Sequence, residues 1–181
     1  MNERTGKLLV LGGAGIHLLN SGVRFLLALF KIFAGPISTL LSIAGLLGAV
    51  AIAGGFALIF LAERNILDLI IAGGFAVGVI NNILNLRSYS SPELMARPAI
   101  ASTLLSLVVI AAYVVWAFKL YRNSNAIAAL AVVASFGLNF IVAILSAYLP
   151  AVFGNLIISS MISIASNGAL VFAAFLDLQG N

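Results

Sequence analysis

The chain has 181 residues, of which 63% are hydrophobic and only 8% are charged. A soluble domain carries about a quarter charged residues because its surface faces water, so this composition excludes a soluble protein and predicts a surface that faces lipid. The net charge of +4 comes without any cluster of Lys and Arg, which excludes the electrostatic footprint of a nucleic-acid-binding protein.

The first element, within residues 1–36, is an apolar segment with a polar stripe. On a helical wheel of 100° per residue, His17, Asn20, Arg24 and Lys31 fall on one side, and Leu, Val, Ile and Phe occupy the rest. One interpretation is an amphipathic helix at the membrane interface with its basic residues among lipid headgroups. The other is a membrane span whose stripe faces the interior of a helix bundle.

Charge counting favours the interfacial interpretation. It places six Lys and Arg residues on the side of the N-terminus and three on the opposite side; these are Arg4, Lys7, Arg24, Lys31, Arg87 and Arg97 against Arg64, Lys119 and Arg122. A spanning first helix gives five against three, with Arg24 near a membrane boundary. Basic residues prefer cytoplasmic loops, so the larger difference, six against three, favours the interfacial arrangement. Both arrangements put the N-terminus in the cytoplasm.

Five apolar runs follow, each long enough for the about 20 residues that a bilayer requires. They are 37–62, 66–86, 98–118, 126–149 and 152–176. The connections are short, which makes successive helices antiparallel neighbours, and the runs are too long and too uniformly apolar for strands. The fold prediction is an all-α, polytopic helical membrane protein: a bundle of five transmembrane helices over residues 37–181 plus the N-terminal helix, with six transmembrane helices as the alternative.

Asp68 is the only acidic residue inside an apolar run, one turn after Arg64. Near the start of a helix it can form an i, i+4 pair with Arg64 or interact with the positive helix N-terminus. We therefore predict a structural role, in which Asp68→Asn costs little stability. Binding of a proton or another cation is the alternative.

A six-residue sequence occurs twice, first at Ile52–Ala57 and again at Ile71–Ala76. Each copy contains a Gly-Gly pair, and small residues let neighbouring membrane helices approach closely. The alternative is coincidence in a Gly- and Ala-rich sequence. The glycines predicted to lie in helix contacts are Gly54, Gly55, Gly73, Gly74 and Gly78.

Asn and Ser side chains recur at helical spacing in the later runs. Such stripes indicate a face turned away from lipid, either in plain contact with another helix or lining a hydrated path. The candidate residues are Asn81, Asn82 and Asn85 in the third helix, Ser135, Asn139 and Ser146 in the fifth, and Asn155, Ser159, Ser163, Ser166 and Asn167 in the last.

Reactive groups are scarce. The chain has no Cys and a single His, His17, and it lacks the nucleophile, zinc-protease and phosphate-loop motifs. We therefore predict no enzymatic activity, cofactor or metal. The leading functional prediction is a non-enzymatic subunit or scaffold of a membrane complex, with lipid, other subunits or further copies of the chain as partners; the alternative is a small oligomeric transporter or channel with an Asn/Ser-lined path.

Overall fold

The computed structural model describes residues 3–32, 35–88, 98–148 and 156–180. Within these ranges the chain is helical apart from short turns, which confirms the all-α prediction. The six helices are α1 Glu3–Leu29, α2 Gly35–Glu63, α3 Ile66–Ser88, α4 Pro98–Arg122, α5 Ala126–Tyr148 and α6 Leu156–Gln179. Four of them, α1, α2, α4 and α6, are long and apolar enough to cross a bilayer, and α3 and α5 contain shorter apolar stretches. The chain is a polytopic helical membrane protein.

Asparagine side chains cap the N-termini of two of the helices. Asn65 accepts a hydrogen bond from the Leu67 amide at α3, and Asn125 accepts one from the Ala128 amide at α5. These side chains satisfy amides that have no partner inside the helix. The residues just before them, Arg64 and Ser124, adopt left-handed backbone angles, with φ of 57° and 62°. Both turns are therefore tight, and each helix pair they join is antiparallel.

The helices form a closed ring. Consecutive helices pack against each other, and α6 packs against α1 to close the ring. Since successive helices alternate in direction, α1, α3 and α5 begin at the same end of the ring where α2, α4 and α6 finish. We call this the charged end, because it holds Glu3, Lys7, Glu63, Asp68, Lys119 and Asp177; the other is the opposite end.

The first helix lies along the bundle instead of across one of its ends. Gly6 of α1 meets Gly55 of α2, Gly13 meets Gly48, and the Asn20 amide reaches the Leu41 carbonyl. This antiparallel register continues over most of α1, and α6 covers its other side. This packing along the bundle is the one that the six-helix alternative predicts, and it depends on the glycines that let α1 and α2 meet.

Backbone contact between α1 and α2 depends on the absence of side chains. A Cβ atom added at Gly13 would lie 2.6 Å from the Gly48 carbonyl oxygen, and one at Gly6 would lie 2.6 Å from the Gly55 carbonyl oxygen. Each helix thus presents two glycines seven residues apart, a spacing that returns to the same helix face after two turns. The close fit positions the polar stripe of α1 against α2.

An apolar core fills the half of the ring next to the charged end. At its centre, Phe56 and Phe75 stack with ring centroids 6.2 Å apart, and Trp116 meets Phe56 edge-on at 5.1 Å. Phe56 and Phe75 occupy equivalent positions in the two copies of the six-residue sequence. This aromatic cluster, formed by Phe56, Phe75, Tyr113 and Trp116, closes the interior on that side.

Candidate functional site

A polar cavity of about 410 Å³ lies inside the ring, in the half towards the opposite end. It extends from Asn82 on α3 to Ser163 and Asn167 on α6, and these two helices face each other across the ring. His17 and Arg24 of α1 line its side. Because residues of opposed helices share it, this space belongs to the ring interior and not to an outer groove.

A second cavity, of about 320 Å³, adjoins it and has an aromatic wall. Asn82 lines both spaces, and the wall of the second is formed by Tyr113, Phe136 and Phe140 together with Asn139. Tyr113 also packs edge-on against Phe75 of the aromatic cluster, with ring centroids 5.1 Å apart. The interior therefore combines a polar side, on α1 and α6, with an aromatic side, on α4 and α5.

Hydrogen bonds hold the α1 wall of the polar cavity in place. Asn20 donates from Nδ2 to the Leu41 carbonyl of α2 at 2.8 Å and accepts a hydrogen bond from Arg24 Nε at 3.2 Å. On the other side, Asn167 of α6 donates from Nδ2 to Ser21 Oγ at 2.8 Å. These bonds orient the wall but use only part of its polar groups. Among the residues that the structure describes, the side chains of His17, Asn82 and Ser163 form no hydrogen bond.

A second polar contact joins α5 to α6 outside this wall. Ser166 donates from Oγ to the Ser135 carbonyl at 2.8 Å, and Asn139 donates from Nδ2 to Ser166 Oγ. Ser135 and Ser166 are fully buried. This part of the two predicted stripes is interhelical packing, whereas Ser163 and Asn167 face the polar cavity.

Ion pairs close the ring at the charged end. The Lys119 ammonium lies 2.7 Å from Asp68 Oδ1 and 3.2 Å from Glu63 Oε2, which ties α4 to α3 and α2. Lys7 lies 2.8 Å from Glu3 Oε1 and 3.4 Å from Asp177 Oδ1, which ties α1 to α6. We call these six residues the ion-pair network. The predicted i, i+4 ion pair between Asp68 and Arg64 is wrong. Arg64 is exposed in the turn, and Lys119 of α4 contacts Asp68 instead.

Two buried polar atoms remain without a partner among the described residues: Asp68 Oδ2 and Trp116 Nε1. Asp68 is 0% exposed and Trp116 is 0% exposed. Trp116 belongs to the aromatic cluster and stands one turn before Lys119 on α4, so both atoms mark the border between the cluster and the ion-pair network. Such orphan groups are uncommon in folded proteins because burying them costs free energy.

The predicted helix-packing glycines divide into two groups. Gly55 and Gly74 are buried in helix contacts, with α1 and α4 respectively, and Gly78 faces Val109. Gly54 and Gly73 are exposed with open space around them, so they differ from the prediction. In each pair only the second glycine faces a neighbour, because adjacent residues are rotated by about 100° around a helix.

Several predicted residues fall outside the described part of the structure. Asn82 lines both cavities, but the side chains of Asn81, Asn85, Ser146 and Asn155 are not among those described. Arg24 is exposed beside the polar cavity, and Lys31 is exposed beyond the end of α1.

Sequence reasoning missed most of the ion-pair network and three of the four glycines of the α1–α2 contact. A signal for the network was present, since its members all fall within two turns of a helix terminus at one end of an alternating bundle. A signal for the contact was the seven-residue spacing in both Gly6/Gly13 and Gly48/Gly55.

The chain matches no family model, no curated protein and no solved structure. Functional inference therefore depends on the geometry of the ring interior.

Proposed function

We propose that all six helices cross the bilayer and that the ring interior binds a small polar solute and carries it across the membrane. The observation that supports this most directly is that Asn82 of α3 and Asn167 of α6 line one cavity from opposed sides of the ring. Binding sites in membrane transporters lie between helices near the middle of the bilayer, where polar residues are otherwise costly.

The polar groups of the cavity wall favour this function over a scaffold. A scaffold acts through its outer helix faces and has no need for polar side chains turned towards its own interior, since a buried polar group without a partner costs free energy. The partly buried His17 and Ser163 and the exposed Asn82 line such a space without hydrogen bonds to the described residues. A polar ligand would supply the missing hydrogen bonds.

The shape of the interior favours transport over binding alone. The polar cavity occupies one half of the ring, while the aromatic cluster and the ion-pair network close the other half. Access from one side of the membrane at a time is the arrangement that alternating access requires. We further propose that the charged end faces the cytoplasm, since it carries the larger number of Lys and Arg residues in the six-span arrangement.

Solute flux in proteoliposomes tests this proposal. Shrinkage and reswelling after osmotic shock would be followed with a panel of uncharged polyols, amino acids and small carboxylates. We expect at least one solute to enter faster than in protein-free liposomes, and Asn82→Leu to abolish that increase by placing an apolar side chain in both cavities. The matched control is Gly73→Leu on the same helix, because Gly73 faces outwards with open space.

Two results would overturn the proposal. One is that no solute in the panel enters faster than in protein-free liposomes, although the reconstituted protein remains folded by circular dichroism. The other is that Asn82→Leu and Gly73→Leu change the flux equally, which would locate the path outside the ring interior.

A further inference from the structure

The ion-pair network concentrates the acidic residues of the chain. The sequence contains five Asp and Glu residues in all, and four of them lie in the network: Glu3, Glu63, Asp68 and Asp177. Two ammonium groups, those of Lys7 and Lys119, contact these four acids. With every group ionised, the network therefore holds two more negative charges than positive ones. The sequence contains only one other acidic residue.

The least compensated of these charges is on Asp68. Its Oδ1 receives the hydrogen bond from Lys119, but its Oδ2 has no partner among the described residues, and the residue is 0% exposed. Lys119 is moreover shared with Glu63, 3.2 Å away. A carboxylate oxygen without a donor in a low-dielectric site carries a large desolvation cost, which a bound cation or proton removes.

Only part of the charge on Asp68 is compensated by its surroundings, which include the positive N-terminal end of α3. The charged groups that act on it are Lys119 from α4, Lys7 from α1 and Asp177 from α6, and Glu63 of α2 competes for Lys119. The helix α5 carries no charged residue.

We propose that Asp68 is a proton-binding site. A proton taken up from water at the charged end adds to Oδ2, which makes Asp68 a neutral carboxylic acid, while Lys119 keeps its own proton and its contact with Glu63. The half-buried Glu63, whose side chain is 31% exposed, lies between Lys119 and the aqueous side and provides the entry. Loss of the same proton restores the Asp68–Lys119 ion pair.

A proton fits this position better than a metal ion. No group of three or more His, Cys, Asp or Glu residues in the described part of the chain is arranged to hold a metal, and hard cations such as Ca²⁺ take six to eight oxygen ligands. The Lys119 ammonium, already 2.7 Å from Oδ1, would also repel a metal ion at the same carboxylate. A proton needs one oxygen and carries no ligand requirement.

The consequence concerns the closure of the charged end. The Asp68–Lys119 pair joins α3 to α4, and a neutral Asp68 holds Lys119 less strongly because the Coulomb attraction is lost. Protonation thus loosens the contact that closes the interior at this end. The proton-binding site itself requires only the ion-pair network and stands whether or not the chain carries a solute.

Infrared spectroscopy of the protein in lipid bilayers tests the site directly. The C=O stretching band of protonated carboxyl groups would be recorded while the pH is lowered from neutral to mildly acidic. With five Asp and Glu residues in the chain, each band can be assigned by single substitution. We expect a band from a buried carboxyl group that is lost in Asp68→Asn and retained in the control Glu93→Gln, which removes the one acidic residue of the sequence outside the network.

Three outcomes would overturn the proposal. The first is that the band is retained in Asp68→Asn. The second is that it is absent from the unsubstituted protein over the whole pH range in which the protein stays folded. The third is that it disappears only in Glu63→Gln, which would assign the proton to Glu63. A band that Na⁺ removes at constant pH, with no such effect in Asp68→Asn, would replace the proton by a metal cation.

A second variant keeps the test decisive if Asp68→Asn does not fold. In Lys119→Gln the Asp68 carboxylate loses its counter-ion, so we expect the protonated band to persist to a higher pH than in the unsubstituted protein. An unchanged titration of the band in folded Lys119→Gln would contradict the assignment to Asp68.

Discussion

The Lys119 ammonium nitrogen lies 2.7 Å from Asp68 Oδ1, between two helices that also pack through Phe75 and Trp116. Asp68 is 0% exposed and Lys119 is 5% exposed, so the pair is shielded from water. Lys119 also reaches Glu63, which extends the connection to α2. This ion pair holds three helices together at the end of the ring that the aromatic cluster closes.

Removal of Lys119 should be costly. Lys119→Met leaves the fully buried Asp68 without its cation, and breaking such a buried pair on one side typically costs about 3–5 kcal/mol. We expect a lower midpoint of unfolding, measured by circular dichroism in mild detergent as the temperature is raised. The control is Lys31→Met, which removes an exposed lysine beyond α1.

The double variant Lys119→Met/Asp68→Asn separates the pair from other effects of the substitution. Removing both partners leaves no uncompensated charge at Asp68, so the double variant should be more stable than the sum of the single changes predicts. If Lys119→Met and Lys31→Met shift the unfolding midpoint equally, the pair contributes nothing to stability.

The adjacent glycines Gly12 and Gly13 allow a matched comparison of two alanine substitutions, one inside the α1–α2 contact and one outside it. A Cβ atom at Gly13 would lie 2.6 Å from the Gly48 carbonyl oxygen, whereas one at Gly12 meets nothing within 4 Å. We expect Gly13→Ala to lower the unfolding midpoint because α1 and α2 must separate. Gly12→Ala should be neutral or stabilising, since alanine is about 1 kcal/mol better than glycine within a helix. A reversed or equal effect of the two substitutions would contradict the α1–α2 packing.

The six-span arrangement can be checked by thiol labelling, because the chain has no Cys. Thr5→Cys, Ser38→Cys and Asn123→Cys place single thiols at exposed positions. With an impermeant reagent in oriented vesicles, we expect Thr5→Cys and Asn123→Cys to react from the same side and Ser38→Cys from the other. Labelling of Thr5→Cys and Ser38→Cys from one side would restore the interfacial position of the first helix.

Thiol labelling can also test whether water reaches the ring interior. Asn82 lines both cavities, whereas Ala72, ten residues earlier on α3, lies in the apolar core. The two variants to compare are therefore Asn82→Cys and Ala72→Cys. We expect a small, charged thiol reagent to modify Asn82→Cys in liposomes and to leave Ala72→Cys unmodified. Gly73→Cys, which faces outwards, serves as the lipid-exposed control. Equal reaction at positions 72 and 82 would show that the aromatic cluster does not close the interior.

The amino-acid sequence was sufficient to locate the helices. The predicted runs 37–62, 66–86 and 98–118 correspond to α2 at Gly35–Glu63, α3 at Ile66–Ser88 and α4 at Pro98–Arg122. The runs 126–149 and 152–176 overlap α5 and α6, and their limits at 149 and 152 lie outside the described residues. This succeeds because the requirement is local: a helix in lipid needs about 20 apolar residues and satisfies its own backbone hydrogen bonds, so its limits can be read from the polar residues that interrupt the run.

The partners of individual side chains required the tertiary structure. Asp68 has Arg64 four residues away in the sequence, yet its cation is Lys119, 51 residues along the chain. Likewise Gly54 and Gly55 are equivalent in composition, and the ring alone assigns Gly55 to a contact and Gly54 to the outer surface. Helical spacing shows which residues share a face, but the choice of the face that meets a neighbour depends on the packing of all six helices. For that reason the polar stripe of α1 was recognised from the sequence, while its position against α2 and α6, beside the polar cavity, emerged from the fold.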